Sequence, residues 1–167
     1  KIVESVRVLV HHGFRNIELS GGTDHYPGFE KELLQIKNEY GLNYLLHNYF
    51  PPPKEHFVLN LASLDDEVYN KSINHCKAAL DLSQVLGAKK YAVHAGFLID
   101  PKVNELGQKI GHQKPYNRQI ALERFAKTYQ LLKDYAPYVD LYVENNVFSL
   151  PNKQSFGFNP FLFTDYR

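Results

Sequence analysis

Residues 87–96 read Gly-Ala-Lys-Lys-Tyr-Ala-Val-His-Ala-Gly. Gly87 closes a long helical stretch, because glycine just past a helix accepts positive φ without a Cβ clash. The strand-like run Ala88–Ala95 follows at once and carries a histidine near its end. The same order recurs on both sides. Gly13 separates a helical stretch, residues 2–12, from the run Phe14–Ser20. Gly41 separates a shorter helix, started by Pro27-Gly28 and running to Tyr40, from Leu42–Tyr49. A fourth run, Val139–Asn145, follows Ala136-Pro137, where proline stops the helix. Strands alternating with helices predict parallel βαβ units, an α/β fold.

The helices carry apolar stripes at helical spacing. Asp65–Leu86 places Tyr69, Ile73, Cys76 and Leu80 on one face, and Ser63 with Asp66 has the spacing of a capping box. Arg118–Tyr135 places Leu122, Phe125, Ala126, Tyr129 and Leu132 together, with Asn117 as N-cap. These stripes read as core. Helix-to-strand breaks are short, whereas residues 48–64, 96–117 and 146–161 form long strand-to-helix loops. Loops at the carboxyl ends of parallel strands are where such folds keep their function.

Side chains alternate faces along a strand. One face of the four runs is apolar: Ile17 and Leu19, Tyr44 and Leu46, Tyr91 and Val93, Leu141 and Val143. The other is unusually polar, and its last position in each strand is ionisable: Glu18, His47, His94 and Glu144. A parallel sheet covered by helices on both faces would be apolar on both. A closed barrel with the polar set pointing inward at the upper rim fits better. Taken singly, each histidine reads as a hydrogen-bonded structural group, Glu144 as a partner of Lys90, and Glu18 as a network or substrate-facing residue. Taken together, two histidines and a carboxylate from successive strands have the ligand types of a catalytic zinc site, and suit manganese or another divalent ion as well. His11, His12, His56 and His75 read as surface residues, and Asp24-His25 as a turn and helix start close to the rim.

Composition sets the bounds. Of the 167 residues, 44% are hydrophobic and 22% charged, an ordinary globular balance with enough apolar material for a core. Nineteen basic and 18 acidic side chains leave a net charge of +1, which argues against a broad nucleic-acid platform. A single cysteine, Cys76, excludes a disulfide framework and a multi-cysteine zinc cluster. No apolar run approaches ~18 residues, so no membrane span is expected, and a reducing, cytoplasmic setting is. There is no glycine-rich phosphate fingerprint and no Gly-x-Ser-x-Gly nucleophile elbow.

At these same residues the chain resembles the xylose-isomerase-like TIM barrel superfamily, which holds sugar isomerases and epimerases together with endonucleases of the endonuclease-four type that cut at abasic sites. His47-Asn48-Tyr49 resembles the endonuclease His-Ala-Pro-Tyr, His94-Ala95-Gly96 its His-Pro-Gly, and Glu144-Asn145-Asn146 its Glu-Asn-Thr. The stretch Gly13–Leu19 is similar to the Gly-Phe-x-x-Ile-Glu-Leu strand of the sugar isomerase branch. The resemblance implies that His47, His94 and Glu144 bind a divalent metal, zinc, manganese or cobalt. The prolines of both endonuclease histidine motifs are absent, and Asn146-Val147 replaces Thr-Ala-Gly, departures that weigh against DNA repair. The resemblance further implies a partial TIM (β/α)8 barrel, strands two to five, with residues 1–167 one domain truncated at both ends.

Three functions follow as expectations. The first is a metal-dependent sugar or sugar-phosphate isomerase or epimerase working through an enediolate, with Glu144 as ligand and acid/base. Glu18, Tyr49 and Tyr142 would bind substrate, Glu18 without touching metal, and the loop 96–117 would act as a lid. The second is a zinc-dependent phosphodiesterase acting at abasic sites, which lacks a basic, aromatic-interleaved groove here. The third is a non-catalytic barrel fragment. In each case open barrel edges would favour self-association.

Overall fold

The computed structural model describes residues 1–164. Each apolar stripe forms the inner face of a helix and each alternating run a strand. The order is α1 (Ile2–His11), β1 (Asn16–Leu19), α2 (Phe29–Tyr40), β2 (Asn43–His47), α3 (Asp66–Leu86), β3 (Lys90–His94), α4 (Arg118–Tyr135), β4 (Asp140–Glu144) and α5 (Leu150–Phe156), with a 3-10 turn at Val103–Glu105 between β3 and α4. The four strands are parallel and neighbour one another in chain order, β1-β2-β3-β4. Sequential order with a helix after each strand is the winding of a barrel wall, and the sheet is a partial barrel. No helix among the described residues is long and apolar enough to cross a membrane.

The core lies between the helices and the apolar strand face. Ile17, Leu19, Tyr44, Leu46, Tyr91 and Val93 pack there with Val6, Leu33, Ile36, Cys76, Leu80 and Phe125, all buried. Burial of this kind contributes roughly 25 cal/mol per Å² of apolar surface. β4 is different: Val143, on the same face, is 38% exposed, because β4 is an edge of the described sheet. The α4 stripe shows the same effect. Ala121, Phe125, Thr128 and Leu132 are buried, whereas Ala126 is exposed and lines a groove with Val143 and Phe163. The stripe read from the sequence is wider than the face that is covered.

Two local expectations are corrected. The N-cap of α3 is Asp65, not a Ser63–Asp66 box: its carboxylate accepts from the N–H groups of Glu67 and Val68, at 2.8 and 3.1 Å. The stretch 146–161 is not wholly loop, since α5 begins after Ser149, whose hydroxyl caps Asn152, with a proline in the first turn. Phe161 bridges to Phe97 in antiparallel fashion, and residues 165–167 lie outside the described residues.

Candidate metal centre

Glu18, His47, His94 and Glu144 come from β1, β2, β3 and β4 respectively. Their pairing climbs across the sheet. His47 lies opposite Ala92, two residues below His94, whereas His94 lies opposite Glu144. Strand tilt nevertheless brings the two imidazoles together, with ring centroids 5.8 Å apart. One ligand-type atom from each of His47, His94 and Glu144 lies within 4.8 Å of the others.

His47 is bracketed by two carboxylates. Its Nδ1 lies 2.8 Å from Glu18 Oε1, and its Nε2 lies 3.0 Å from Glu144 Oε2. The second contact is close but not aligned as a hydrogen bond, and Nε2 is a buried atom without a hydrogen-bond partner. With Nδ1–H donating to Glu18, Nε2 presents a lone pair toward an anionic oxygen. That opposition is relieved by a cation, so the donor set fits a divalent metal. His94 Nδ1 in turn lies 3.4 Å from the main-chain oxygen of Glu144, a long hydrogen bond that leaves the other ring nitrogen free. A histidine whose Nδ1 is held by an acceptor offers Nε2 to a metal.

Glu18 thus sits beside the cluster, against a neighbouring polar side chain. Lys90 does not pair with Glu144; its ammonium lies over the Tyr142 ring, 5.3 Å from the centroid. Tyr142 shares the strand face of Glu144 but is exposed and does not line the cavity beside His94. Tyr49 does line that cavity. Its hydroxyl accepts from Leu59 N–H at 2.8 Å, and burial raises its pKa.

The support beneath the centre involves residues that strand parity could not expose. Asn48, directly after His47, adopts φ 37°. Its N–H donates to Ala92 O at 2.7 Å. Its carbonyl accepts from the Tyr91 hydroxyl at 3.0 Å and from His75 Nε2 at 3.2 Å. His75 is therefore no surface residue. It is buried against Tyr49 and Phe57, and burial lowers its pKa while the bond to Asn48 O partly offsets that shift. His11, His12 and His56 are exposed, as are Asp24 and His25. Cys76 is buried, its thiol pushed up to about 12 by desolvation.

After β3 the chain turns at Gly96, φ 111°, where an added Cβ would meet Asn60 Oδ1 at 2.2 Å. Asn60 is fully buried. It accepts from Ala62 and Phe97 N–H and donates to Phe97 O, Ile99 O and Asp100 Oδ1. Asp100 is also held by Ser63 and Tyr116 hydroxyls. The loops following β2 and β3 are thereby tied into one rim. Residues 103–111 then arch over a cavity of ≈ 450 Å³ whose wall includes Asn48, Tyr49 and His94. Asn152 of α5 clamps the arch, accepting from Ile110 N–H at 2.9 Å and donating to Gln108 O at 3.2 Å.

A partial parallel barrel with ionisable residues gathered at its carboxyl rim defines a class of protein. Residues 6–157 match the family described as xylose isomerase-like TIM barrel, and the chain belongs to that family. No curated protein matches it. Among solved structures it is similar to a D-tagatose 3-epimerase-like protein, at TM-score 0.65 and 19% identity over 87% of this chain and 49% of that one. It is also similar to an L-ribulose 3-epimerase, at TM-score 0.60 and 18% identity over 86% and 43%. A third is the 3-keto-D-glucoside 4-epimerase of E. coli, at TM-score 0.62 and 15% identity over 86% and 51%. At such identities the likeness is one of fold. The chain spans about half the length of these solved relatives.

Proposed function

We propose that the protein is a divalent-metal-dependent sugar isomerase or epimerase, with these four strands supplying one side of its barrel and His47, His94 and Glu144 holding the metal. The observation that carries the reading is the convergence of these three residues, with His94 also lining a cavity of small-molecule size. The epimerases among the solved relatives point the same way. When bound, zinc, manganese or cobalt would polarise the substrate carbonyl and offset negative charge developing on its oxygen. Glu18 holds His47 in the tautomer that exposes Nε2. The Glu144 carboxylate takes the proton from the carbon next to the carbonyl; an isomerase returns it to the former carbonyl carbon, whereas an epimerase needs a second acid on the opposite face to deliver a proton to the same carbon. A setting in the cytoplasm suits the single, buried thiol.

The test is incubation of the intact protein with manganese, cobalt or zinc and a panel of ketoses in deuterated water. The expected outcome is metal-dependent exchange at carbon and formation of an isomer, both lost in Glu144→Gln. Incision of an abasic-site duplex at physiological salt, with no exchange in any sugar, would replace this reading with that of a phosphodiesterase.

A further inference from the structure

The cavity changes character away from the metal cluster. Besides His94 and Asn48, the wall carries six apolar side chains, Leu59, Phe97, Leu106, Ile110, Val147 and Phe161. Among the described residues, no lysine or arginine lines it. The lysines of the arch, Lys102 and Lys109, are exposed and outside the wall. Glu105 does line it, yet its two carboxylate oxygens accept from the main-chain N–H groups of Lys102 and Gly111, at 2.7 and 2.8 Å. Those bonds hold the Glu105 carboxyl below its usual range, so it stays anionic. Asn146 and Asn152 also reach the wall but spend their amides on the backbone, Asn146 donating to Gly96 O and Leu162 O. At the lip, Val147 is 84% exposed and Leu106 40%, two apolar side chains open to water.

This lining discriminates between ligand ends. A phosphate dianion would exchange its hydration for apolar walls and a fixed carboxylate, with no cation or guanidinium fork to compensate. Away from Asn48, which follows His47 and whose buried Oδ1 has no partner, a terminal hydroxymethyl would bury a hydroxyl with few free partners. A methyl or aromatic group gains in proportion to the apolar area it covers, including the exposed lip. We infer that the cavity takes the end of the substrate remote from the metal, and that this end is uncharged and apolar: a deoxy terminus or an apolar aglycone, not a phosphate. This inference rests on the sugar isomerase or epimerase reading above.

The test is calorimetric binding to the manganese-loaded intact protein of four probes: an aldohexose oxidised to the ketone at carbon 3, its 6-deoxy analogue, its 6-phosphate and its phenyl glycoside at carbon 1, all of which keep the free ketone. The 6-deoxy sugar or the phenyl glycoside should bind about tenfold or more tightly than the parent, the size expected for relieving one unpaired buried hydroxyl. The tighter of the two identifies the source of the apolar group. The 6-phosphate should bind most weakly. Val147→Lys and Leu106→Lys, at the exposed lip and so compatible with folding, should erase the preference and bring the phosphate up. Tightest binding of the 6-phosphate by the unmodified protein overturns the inference and leaves the isomerase reading standing if that phosphate is turned over. Preference for the apolar probes without exchange at any sugar carbon overturns the isomerase reading and upholds the cavity assignment. Equal binding of all four probes, or of none, overturns the inference.

Discussion

His47 shows how much one side chain depends on its neighbours. Its parity on β2 turns it to the lumen, but Glu18 at 2.8 Å selects which ring nitrogen is free. Outer partners of this kind typically change metal affinity by 10–100-fold. Glu18→Ala should therefore weaken manganese or zinc binding about tenfold or more, while one metal per site still binds at saturation, as measured by competition with a chelating dye. Complete loss of binding at saturating metal would make Glu18 itself a ligand. His75 makes a second, separate case. Burial depresses its pKa in the folded state, so below the ordinary histidine value of ~6.5 the unfolded chain binds the proton that the native one refuses. Its contribution to stability is present above that value and is lost as pH falls toward the folded pKa. Urea unfolding of the protein from pH 7.5 to 5.5 should show this decline, and His75→Gln should reduce its slope. An unchanged slope would place the titrating group elsewhere.

Between elements, the rim is held by close backbone approach as much as by strand pairing. Just after β3, Gly96 lies at a φ that L side chains rarely adopt, and its missing Cβ is what admits Asn60 Oδ1. Gly96→Ala combines backbone strain of ~1–3 kcal/mol with loss of buried hydrogen bonds at Asn60. The variant should be destabilised by about 3 kcal/mol or more. In thermal unfolding a loss under ~1 kcal/mol would mean that the two loops separate freely. The helix α5 adds the other support, because Asn152 ties it to the arch. A seven-residue helix has too few turns to show a clear period in sequence, which is why it reads as loop there. Its Ser149-Leu150-Pro151 start was the available signal.

For the molecule as a whole, the unpaired edges matter most. β1 and β4 each have one neighbour in the described sheet, and Val143, Phe163 and Ala126 leave an apolar groove beside β4. Exposed edges with apolar side chains are templates for association. The 167-residue chain prepared alone should sediment as a dimer or larger species at micromolar concentration, and Val143→Lys should shift it toward monomer. A monomer unaffected by that change would show that the edges are sheltered by some other means.

Period and parity are local properties, so they are readable along the chain. The helical stripes, the glycines that end α2 and α3, and the inward position of Glu18, His47, His94 and Glu144 follow from 3.6- and 2-residue repeats of the backbone. The family motifs at His47, His94 and Glu144 lie on those same positions. Distances between strands are not local. The stagger that brings His47 beside His94, the burial of His75 under Asn48, the absence of Tyr142 from the cavity wall and the apolar lining under residues 103–111 all depend on strand tilt and loop packing. These bring together residues dozens of positions apart, such as Asn60 with Gly96 and Ile110 with Asn152. No repeat along the chain encodes such pairs, because each is set by the closing of the layers on one another.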